Sequence, residues 1–205
     1  MEFSKVNEAR RSVNFFDSAK DVDEALIKQI YELAKLAPSS FNLQPWKLVL
    51  VHDAEWKARL REGANGQPKV TEAAYVAIVL GDKKAYEKMD PVIDENINRG
   101  LMQEQARDFM KGMAKGLYSG DNERAFAGRN AGLFAMSFML AAQSLGVDTH
   151  PMDGINTEAI RKTFSIPDEY DIVMLIAIGR FDETKTLAPR ASRKSFDEVV
   201  VREHF

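Results

Sequence analysis

The sequence predicts one folded domain that combines helices with strands. Segments 21–37 and 122–145 have the residue pattern of helices, whereas segments 46–51, 73–80 and 172–178 are short, apolar and rich in residues that favour strands. A chain of 205 residues has the length of one domain or at most two, and roughly 70% of its unfolded surface can be buried on folding. No repeat, linker or change of composition divides the chain, so we expect a single domain.

The first predicted helix covers residues 21–37. Asp21 is a suitable N-terminal cap, and Pro38 ends the helix. Apolar residues recur along one face at steps of three and four: Val22, Leu26, Ile30, Leu33 and Ala37. This pattern is typical of an amphipathic helix that packs against a sheet or another helix.

The three predicted strands differ in how deeply we expect them to be buried. Segments 46–51 and 73–80 are too short for a usual helix, and short helices are expected to fill the gap between them. Segment 172–178 is an unbroken apolar run, which is typical of a strand buried on both faces.

The second half of the chain is predicted to be mostly helical. Residues 83–117 are long, mixed in charge and favourable to helix, so they are expected to form a lid or an arm. Residues 122–145 are apolar around nearly the whole helix circumference, which predicts a mostly buried helix that Gly146 ends. Segment 157–164 is a further short helix. The tail, with its valines at 199–201, is expected either to add a strand to another sheet or to be poorly ordered.

Composition excludes several classes of function. The chain has 28 Lys and Arg against 31 Asp and Glu and a pI near 5.7, which argues against a nucleic-acid or membrane-surface binder. It has no Cys, so disulfides and thiolate chemistry are excluded. Its most apolar stretch, 131–142, is too short to cross about 30 Å of hydrocarbon, and residues 1–11 do not resemble a signal peptide. We therefore expect a cytoplasmic protein without a membrane anchor.

The common signatures of phosphate-binding loops, dinucleotide folds, serine hydrolases and zinc proteases are all absent. The three histidines, His52, His150 and His204, do not have metal-ligand spacing, so no metal site is predicted.

Four segments carry polar chemistry, and each also has a plain structural alternative. Arg10-Arg11-Ser12, with Asn14 nearby, can bind a phosphate or be a surface basic pair. Loop 38–46 presents hydroxyls and amides between two prolines, or simply ends a helix. Turn 150–154 can offer backbone N–H groups to a ligand, or be an ordinary turn. Arg190 and Arg193 can join the first arginines at one anion, or be a solvated basic tail.

Taken together and in this order, these segments resemble the nitroreductase family of FMN-dependent NAD(P)H oxidoreductases. The most specific stretch is APSSFNLQPW at 37–46, and it is joined by RRSV at 10–13, PMDG at 151–154, and Arg190 with Arg193. The resemblance covers about 7–201 and is weakest over 83–120, a region that varies within the family.

The resemblance implies an α+β, nitroreductase-like fold in which a mixed central sheet is wrapped by helices. It implies one domain over residues 1–205, with about 83–120 as a variable helical arm or lid. It further implies an intertwined homodimer with C-terminal strand exchange and two FMN sites at the subunit interface.

The resemblance also implies which residues hold FMN. Arg10 and Ser12 would contact the phosphate and ribityl chain, Arg11 the pyrimidine carbonyls, and the Asp153 backbone N–H would reach the flavin N5. Asn14 stands where many members have Lys or Arg. Ser39, Ser40 and Asn42 would come from the partner subunit. The full expected set is Arg10, Arg11, Ser12, Asn14, Pro38, Ser39, Ser40, Asn42, Gln67, Lys69, Pro151, Met152, Asp153, Gly154, Arg190 and Arg193.

The expected activity is a ping-pong transfer of hydride from NAD(P)H through flavin N5 to nitroaromatic, quinone or similar flat acceptors. The flavin supplies the chemistry, so no side chain is expected to be catalytic. We expect Phe41, Phe109 and Tyr118 to line the acceptor pocket, because aromatic faces stack on flat molecules. The alternatives are another flavin reaction on this fold (dehalogenation, ring oxidation or flavin fragmentation), a non-catalytic FMN-binding protein, or nucleic-acid binding by the two arginine clusters.

Overall fold

The centre of the molecule is a four-stranded sheet in the order β1-β2-β4-β3, seen in a computed structural model that describes residues 2–204. The strands are β1 (Trp46–Val51), β2 (Tyr75–Asp82), β3 (Asp148–Met152) and β4 (Tyr170–Gly179). All three strand pairings are antiparallel, and the mixed character that we expected is confined to an isolated parallel bridge between Ser12 and Thr149. The predicted α+β fold is confirmed.

Helices surround this sheet on both faces. Within residues 2–204 they are α1 (Phe3–Ala9), α2 (Glu24–Ala34), α3 (Ala54–Gly63), α4 (Lys69–Glu72), α5 (Asp90–Asn98), α6 (Arg107–Tyr118), α7 (Glu123–Ser144), α8 (Thr157–Thr163) and α9 (Phe196–Val199). Short 3-10 turns stand at Ser40–Asn42, Ala85–Glu87, Glu104–Ala106 and Gly120–Asn122. None of the helices in this range is long and apolar enough to span a bilayer.

The core forms because β2 and β4 present alternate side chains to opposite faces of the sheet. On one face, Ala77 and Val79 pack with the buried sides of α2 and α7. On the other face, Val76, Ile78 and Leu80 pack with residues of α3, α4 and α8. Every residue of β2 is buried, which explains why its sequence is apolar without a polar alternation.

Two predictions need correction: the N-terminal cap of α2 and the turn at 150–154. Asp23 caps α2, since its carboxylate accepts a hydrogen bond from the Ala25 N–H at 2.8 Å, whereas Asp21 accepts only from the neighbouring Val22 N–H. Strand β3 extends from Asp148 to Met152 and so includes the first three residues of the segment 150–154 that we interpreted as a turn. Pro151 argued against a strand, because proline cannot donate to a neighbouring strand. It is tolerated here because β3 lies at the edge of the sheet.

Helix α7 is not buried around its whole circumference, contrary to our expectation. Leu133 is 44% exposed and Met136 is 38% exposed. A Cβ added to Gly128 or Gly132 would have no neighbour within 4 Å. These four residues form an open apolar stripe. Gly128 and Gly132 therefore do not allow a close approach of another element within the chain.

Residues 83–120 contain α5 and α6 and have a small apolar cluster of their own. Tyr86, Met89, Ile93 and Ala114 are buried there. On its surface, Arg107 donates hydrogen bonds to Asp90, Asp94 and Glu104. These three carboxylates therefore form ion pairs with Arg107.

The tail after Arg190 is exposed and mostly irregular, and α9 is its one element within the described residues. Val200 and Val201 form no strand within the chain. Exchange of this tail with a second copy stays a prediction.

Gly81 marks the closest approach of the sheet to α7. A Cβ there would lie 2.8 Å from the Ala127 carbonyl oxygen. We expect Gly81→Ala to destabilise the protein by about 1–3 kcal/mol, because the clash is with backbone that cannot rotate away. Gly112→Ala is the matched control: its Cβ meets nothing within 4 Å, so it should be neutral or slightly stabilising. Urea unfolding of both variants measures this, and equal midpoints would contradict it.

Candidate functional site

The structure brings the two arginine pairs together at one end of the molecule. Arg190 donates hydrogen bonds to the carbonyls of Glu8, at 2.6 Å, and Arg10, at 3.0 Å. Arg11 donates to the Ala188 carbonyl at 2.6 Å. Hydrogen bonds therefore join the end of α1 to the start of the tail, although the two segments are far apart in sequence.

The four guanidinium groups make this end strongly positive. Burial lowers the pKa of Arg10, and the charges of Arg190, Arg193 and Arg11 lower it further. None of the four groups pairs with a carboxylate in the part of the chain that the structure describes. Such a grouping of positive charges attracts anions.

Ser12 and Val13 connect this arginine cluster (Arg10, Arg11, Arg190 and Arg193) to strand β3. Ser12 forms the parallel bridge to Thr149, and the Val13 N–H donates to the Thr149 carbonyl at 3.2 Å. Asn14 follows as an exposed residue. The cluster thus lies beside the segment that leads into Pro151–Gly154.

A polar pocket of about 370 Å³ opens at the end of β3. Asn65 donates to the Gly154 carbonyl at 2.8 Å, and Gln67 donates to the same oxygen at 3.4 Å. The residues that line it are Asn65, Gln67, His150, Pro151, Met152, Asp153 and Gly154. The sequence analysis missed Asn65, and it included His150 only as part of turn 150–154, without a role for its side chain. The Asn65-Gly66 pair, with φ of 54° and 71°, is a turn signal that points to Asn65.

Lys69 stands at the start of α4 beside this pocket. Its ammonium donates to Gln67 Oε1 at 3.4 Å and to His150 Nε2 at 3.3 Å. Burial lowers the pKa of Lys69, and nearby Glu72 partly opposes that shift. Lys69 therefore adds a half-buried positive charge near the polar pocket.

The loop before β1 has an unusual backbone. Phe41, Asn42 and Gln44 all adopt left-handed conformations, with φ of 53°, 53° and 47°. Such conformations cost about 1–3 kcal/mol each and persist where the surroundings enforce them. The loop is anchored on α7, because the Ser40 N–H donates to Oδ1 of buried Asn130 at 2.8 Å. Within the loop, the Ser39 hydroxyl accepts a hydrogen bond from the Gln44 N–H at 2.9 Å, while Asn42 is exposed.

This loop and the arginine cluster do not meet within one chain. The loop precedes β1, whereas the cluster adjoins β3 at the opposite edge of the sheet. Three strand spacings of ~4.8 Å put the two edges about 14 Å apart. The expected site residues therefore divide into two groups that one chain does not join.

Two of the three predicted acceptor-lining aromatics lie together. The rings of Phe41 and Tyr118 make an edge-to-face contact with centroids 6.0 Å apart, and Tyr118 stacks on Phe126 at 4.5 Å. Phe109 is 70% exposed and stands apart from this aromatic cluster.

Comparison with known proteins agrees with the geometry. Residues 8–180 match the family model described as the nitroreductase family. The chain is 38% identical to MhqN of Bacillus subtilis, a proposed NAD(P)H nitroreductase, over 97% of this chain and 98% of that protein. The structure of YdfN from Bacillus subtilis, a proposed nitroreductase, superposes with a TM-score of 0.91 at 38% identity over 97% of both chains. A proposed nitroreductase from Exiguobacterium sibiricum, solved in complex with FMN, superposes with a TM-score of 0.86 at 29% identity, over 98% of this chain and 97% of that one.

Proposed function

Because this chain belongs to the nitroreductase family and is similar to proteins described as proposed NAD(P)H nitroreductases, we propose that it binds FMN and passes hydride from NAD(P)H to flat acceptors such as nitroaromatics and quinones. The observation that carries the proposal is the arginine cluster: Arg190 binds the Arg10 carbonyl, the charges of Arg11, Arg190 and Arg193 act on Arg10, and none of the four forms an ion pair among the described residues. A phosphate dianion is the ligand that such a cluster fits.

The remaining residues fit the other parts of FMN. Gln67 and Lys69 offer an amide and an ammonium for the ribityl chain and the pyrimidine edge. Residues 151–154 offer apolar surface and the exposed Asp153 backbone beside the ring. When bound, FMN would supply the hydride transfer itself, which fits a chain without Cys. The protein would bind, orient and desolvate the reactants.

The second half of the site requires a second copy of the chain. Ser39, Ser40 and Asn42 lie at the edge of the sheet opposite the arginine cluster, so we propose that the partner subunit places its loop over that cluster. The open stripe of α7 supports a dimer, because a second subunit would bury its exposed apolar residues. Within each copy we propose one domain, with residues 83–120 as an arm over the aromatic cluster.

The stripe gives a test of the dimer. Leu133→Glu should convert the protein to monomers, because a carboxylate cannot be buried unpaired at an interface. Sedimentation velocity checks the mass, and Leu101→Glu, at an exposed residue of the arm, is the control. A dimer that survives Leu133→Glu would exclude this stripe as the interface.

Phe41 gives a test of the acceptor pocket. We expect Phe41→Ala to raise the acceptor KM roughly 5- to 30-fold, since one aromatic contact contributes about 1–2 kcal/mol. The KM for NAD(P)H should change less. Phe109→Ala tests the exposed third ring in parallel. An unchanged acceptor KM in Phe41→Ala would remove Phe41 from the pocket.

Initial-rate kinetics test the proposed reaction. A ping-pong order predicts parallel double-reciprocal lines when NAD(P)H and the acceptor are varied together. A panel of nitroaromatics, quinones and halogenated aromatics separates this activity from dehalogenation or ring oxidation. Flavin binding without turnover of any acceptor would favour a non-catalytic FMN-binding protein.

A further inference from the structure

His150 links two parts of the proposed flavin site, and the proposed function does not yet use it. It lies in β3, half-buried, and each ring nitrogen contacts a different segment. Nδ1 lies 2.8 Å from the Val13 carbonyl oxygen, and Nε2 lies 3.3 Å from Lys69 Nζ. The ring therefore connects the segment that follows the arginines to the lysine beside the polar pocket.

The contacts determine the tautomer of His150. A carbonyl oxygen only accepts hydrogen bonds, so the proton of the neutral ring must be on Nδ1. The lone pair is then on Nε2, where it accepts a hydrogen bond from the Lys69 ammonium. The hydrogen bond from Nδ1 to Val13 persists in either protonation state, whereas the hydrogen bond that Nε2 accepts from Lys69 requires the ring to be neutral.

Lys69 depends on this arrangement for its position. Its ammonium has three N–H donors, and two of them are accepted by neutral atoms, Gln67 Oε1 and His150 Nε2. The third donor remains for a ligand. A lysine stem is long and flexible, so fixing its end before a ligand binds reduces the entropy lost on binding.

We propose that His150 is a positioning residue that holds the Lys69 ammonium at the flavin site when neutral and releases it when protonated. The proposal rests on the proposed function, since it assigns Lys69 a flavin contact. A protonated ring would turn an Nε2 N–H toward the N–H groups of Lys69 and put two positive charges about 3.3 Å apart. The contact would then be repulsive.

The surroundings of His150 favour the neutral ring near pH 7. Burial lowers the pKa of His150, the Lys69 charge lowers it further, and the hydrogen bond to Val13 opposes both. Lys69 of α4 is the charged group that faces the ring, and Glu72 of the same helix acts on Lys69. The pKa of His150 is lower in the folded protein than in the unfolded chain. The folded state is therefore most stable relative to the unfolded state above about pH 6.5, where the ring is neutral in both, and it loses stability as the pH falls through the pKa of the folded protein.

A double-mutant cycle on FMN binding tests the proposal. The dissociation constant of the apoprotein is measured by quenching of flavin fluorescence for the wild type, His150→Phe, Lys69→Met and the double variant. His150→Phe should weaken binding roughly tenfold at pH 7.5, because it releases a charged hydrogen-bond donor. The double variant should bind about as weakly as Lys69→Met alone. If His150→Phe costs the same factor in the Lys69→Met background, His150 acts independently of Lys69 and the proposal is wrong.

The pH profile separates positioning from packing. In His150→Gln the amide oxygen can still accept from Lys69 but does not titrate, so binding should stay near wild type at pH 7.5 and should lose less affinity on acidification to pH 5.5. An identical profile in the wild type and His150→Gln would overturn the proposal. Circular dichroism confirms that each variant is folded.

A flavin-free measurement distinguishes this proposal from the proposed function. The chain has three histidines, so NMR can follow the His150 ring directly. Its pKa should rise in Lys69→Met, because a neighbouring positive charge has been removed; an unchanged pKa would refute the coupling. Failure of the wild type to bind FMN would refute the proposed function together with this role, whereas FMN binding with an additive cycle would refute the role alone.

Discussion

Arg10→Glu should purify almost without flavin, with an FMN dissociation constant at least about 100-fold above that of the wild type. The change removes a charge-assisted contact and places a negative charge against the phosphate, which together cost about 3 kcal/mol or more. The ligand-free variant should nevertheless fold at least as well as the wild type, because the charges of Arg190, Arg193 and Arg11 already oppose the charge of Arg10. Loss of flavin without loss of stability is therefore the expected signature.

A matched variant controls for the change of net charge in Arg10→Glu. Arg99 is an exposed residue at the end of α5, remote in sequence from all expected flavin contacts, so Arg99→Glu should keep its flavin. Flavin content is measured by absorbance after heat release, and stability by urea unfolding. Full flavin occupancy in Arg10→Glu would exclude Arg10 from the phosphate site.

Phe134→Ala should destabilise the fold by about 3–5 kcal/mol, a large part of the total stability of a domain. Phe134 is fully buried in the centre of α7. Its ring stacks on Trp46 of β1 with centroids 4.8 Å apart, and it also contacts the rings of Tyr31 and Phe138. Removing it would leave a cavity between helix and sheet that rigid strands cannot fill.

Phe3→Ala is the control for the loss of an aromatic ring, because Phe3 is 70% exposed and its removal should cost little. Unfolding of both variants is followed in urea at one protein concentration, since dimer formation makes stability depend on concentration. A loss below about 1 kcal/mol in Phe134→Ala would show that α7 does not form the core against the sheet.

Most of the fold could be predicted from local patterns. The apolar runs of β2 and β4 are strong signals, because burial on both strand faces selects those residues directly. The periodicity of 21–37 predicted a helix correctly, but α2 spans only Glu24–Ala34, and Leu33 of the predicted face is 47% exposed. Strand β3 was missed, since it is five residues long and contains Pro151. The open stripe of α7 was also missed, because an apolar helix surface has the same sequence whether it faces the chain's own core or another molecule.

The candidate site was predictable only through the combined motifs. Arg10 and Arg190 meet because α1 and the tail pack together, and nothing in either segment alone shows that they do. His150 was interpreted as an ordinary histidine, since a lone histidine carries no spacing signal. Its link to Lys69 brings β3 against α4, 81 residues apart in sequence, which is a property of the folded chain.

The most direct test of the account is a visible absorption spectrum of the purified protein during anaerobic titration with NAD(P)H. We expect a yellow protein whose flavin, identified as FMN after heat release, loses its absorbance on titration with NAD(P)H and regains it when a quinone or nitroaromatic is added. A colourless protein that does not take up added FMN, or a bound flavin that NAD(P)H does not reduce, would contradict the proposed function.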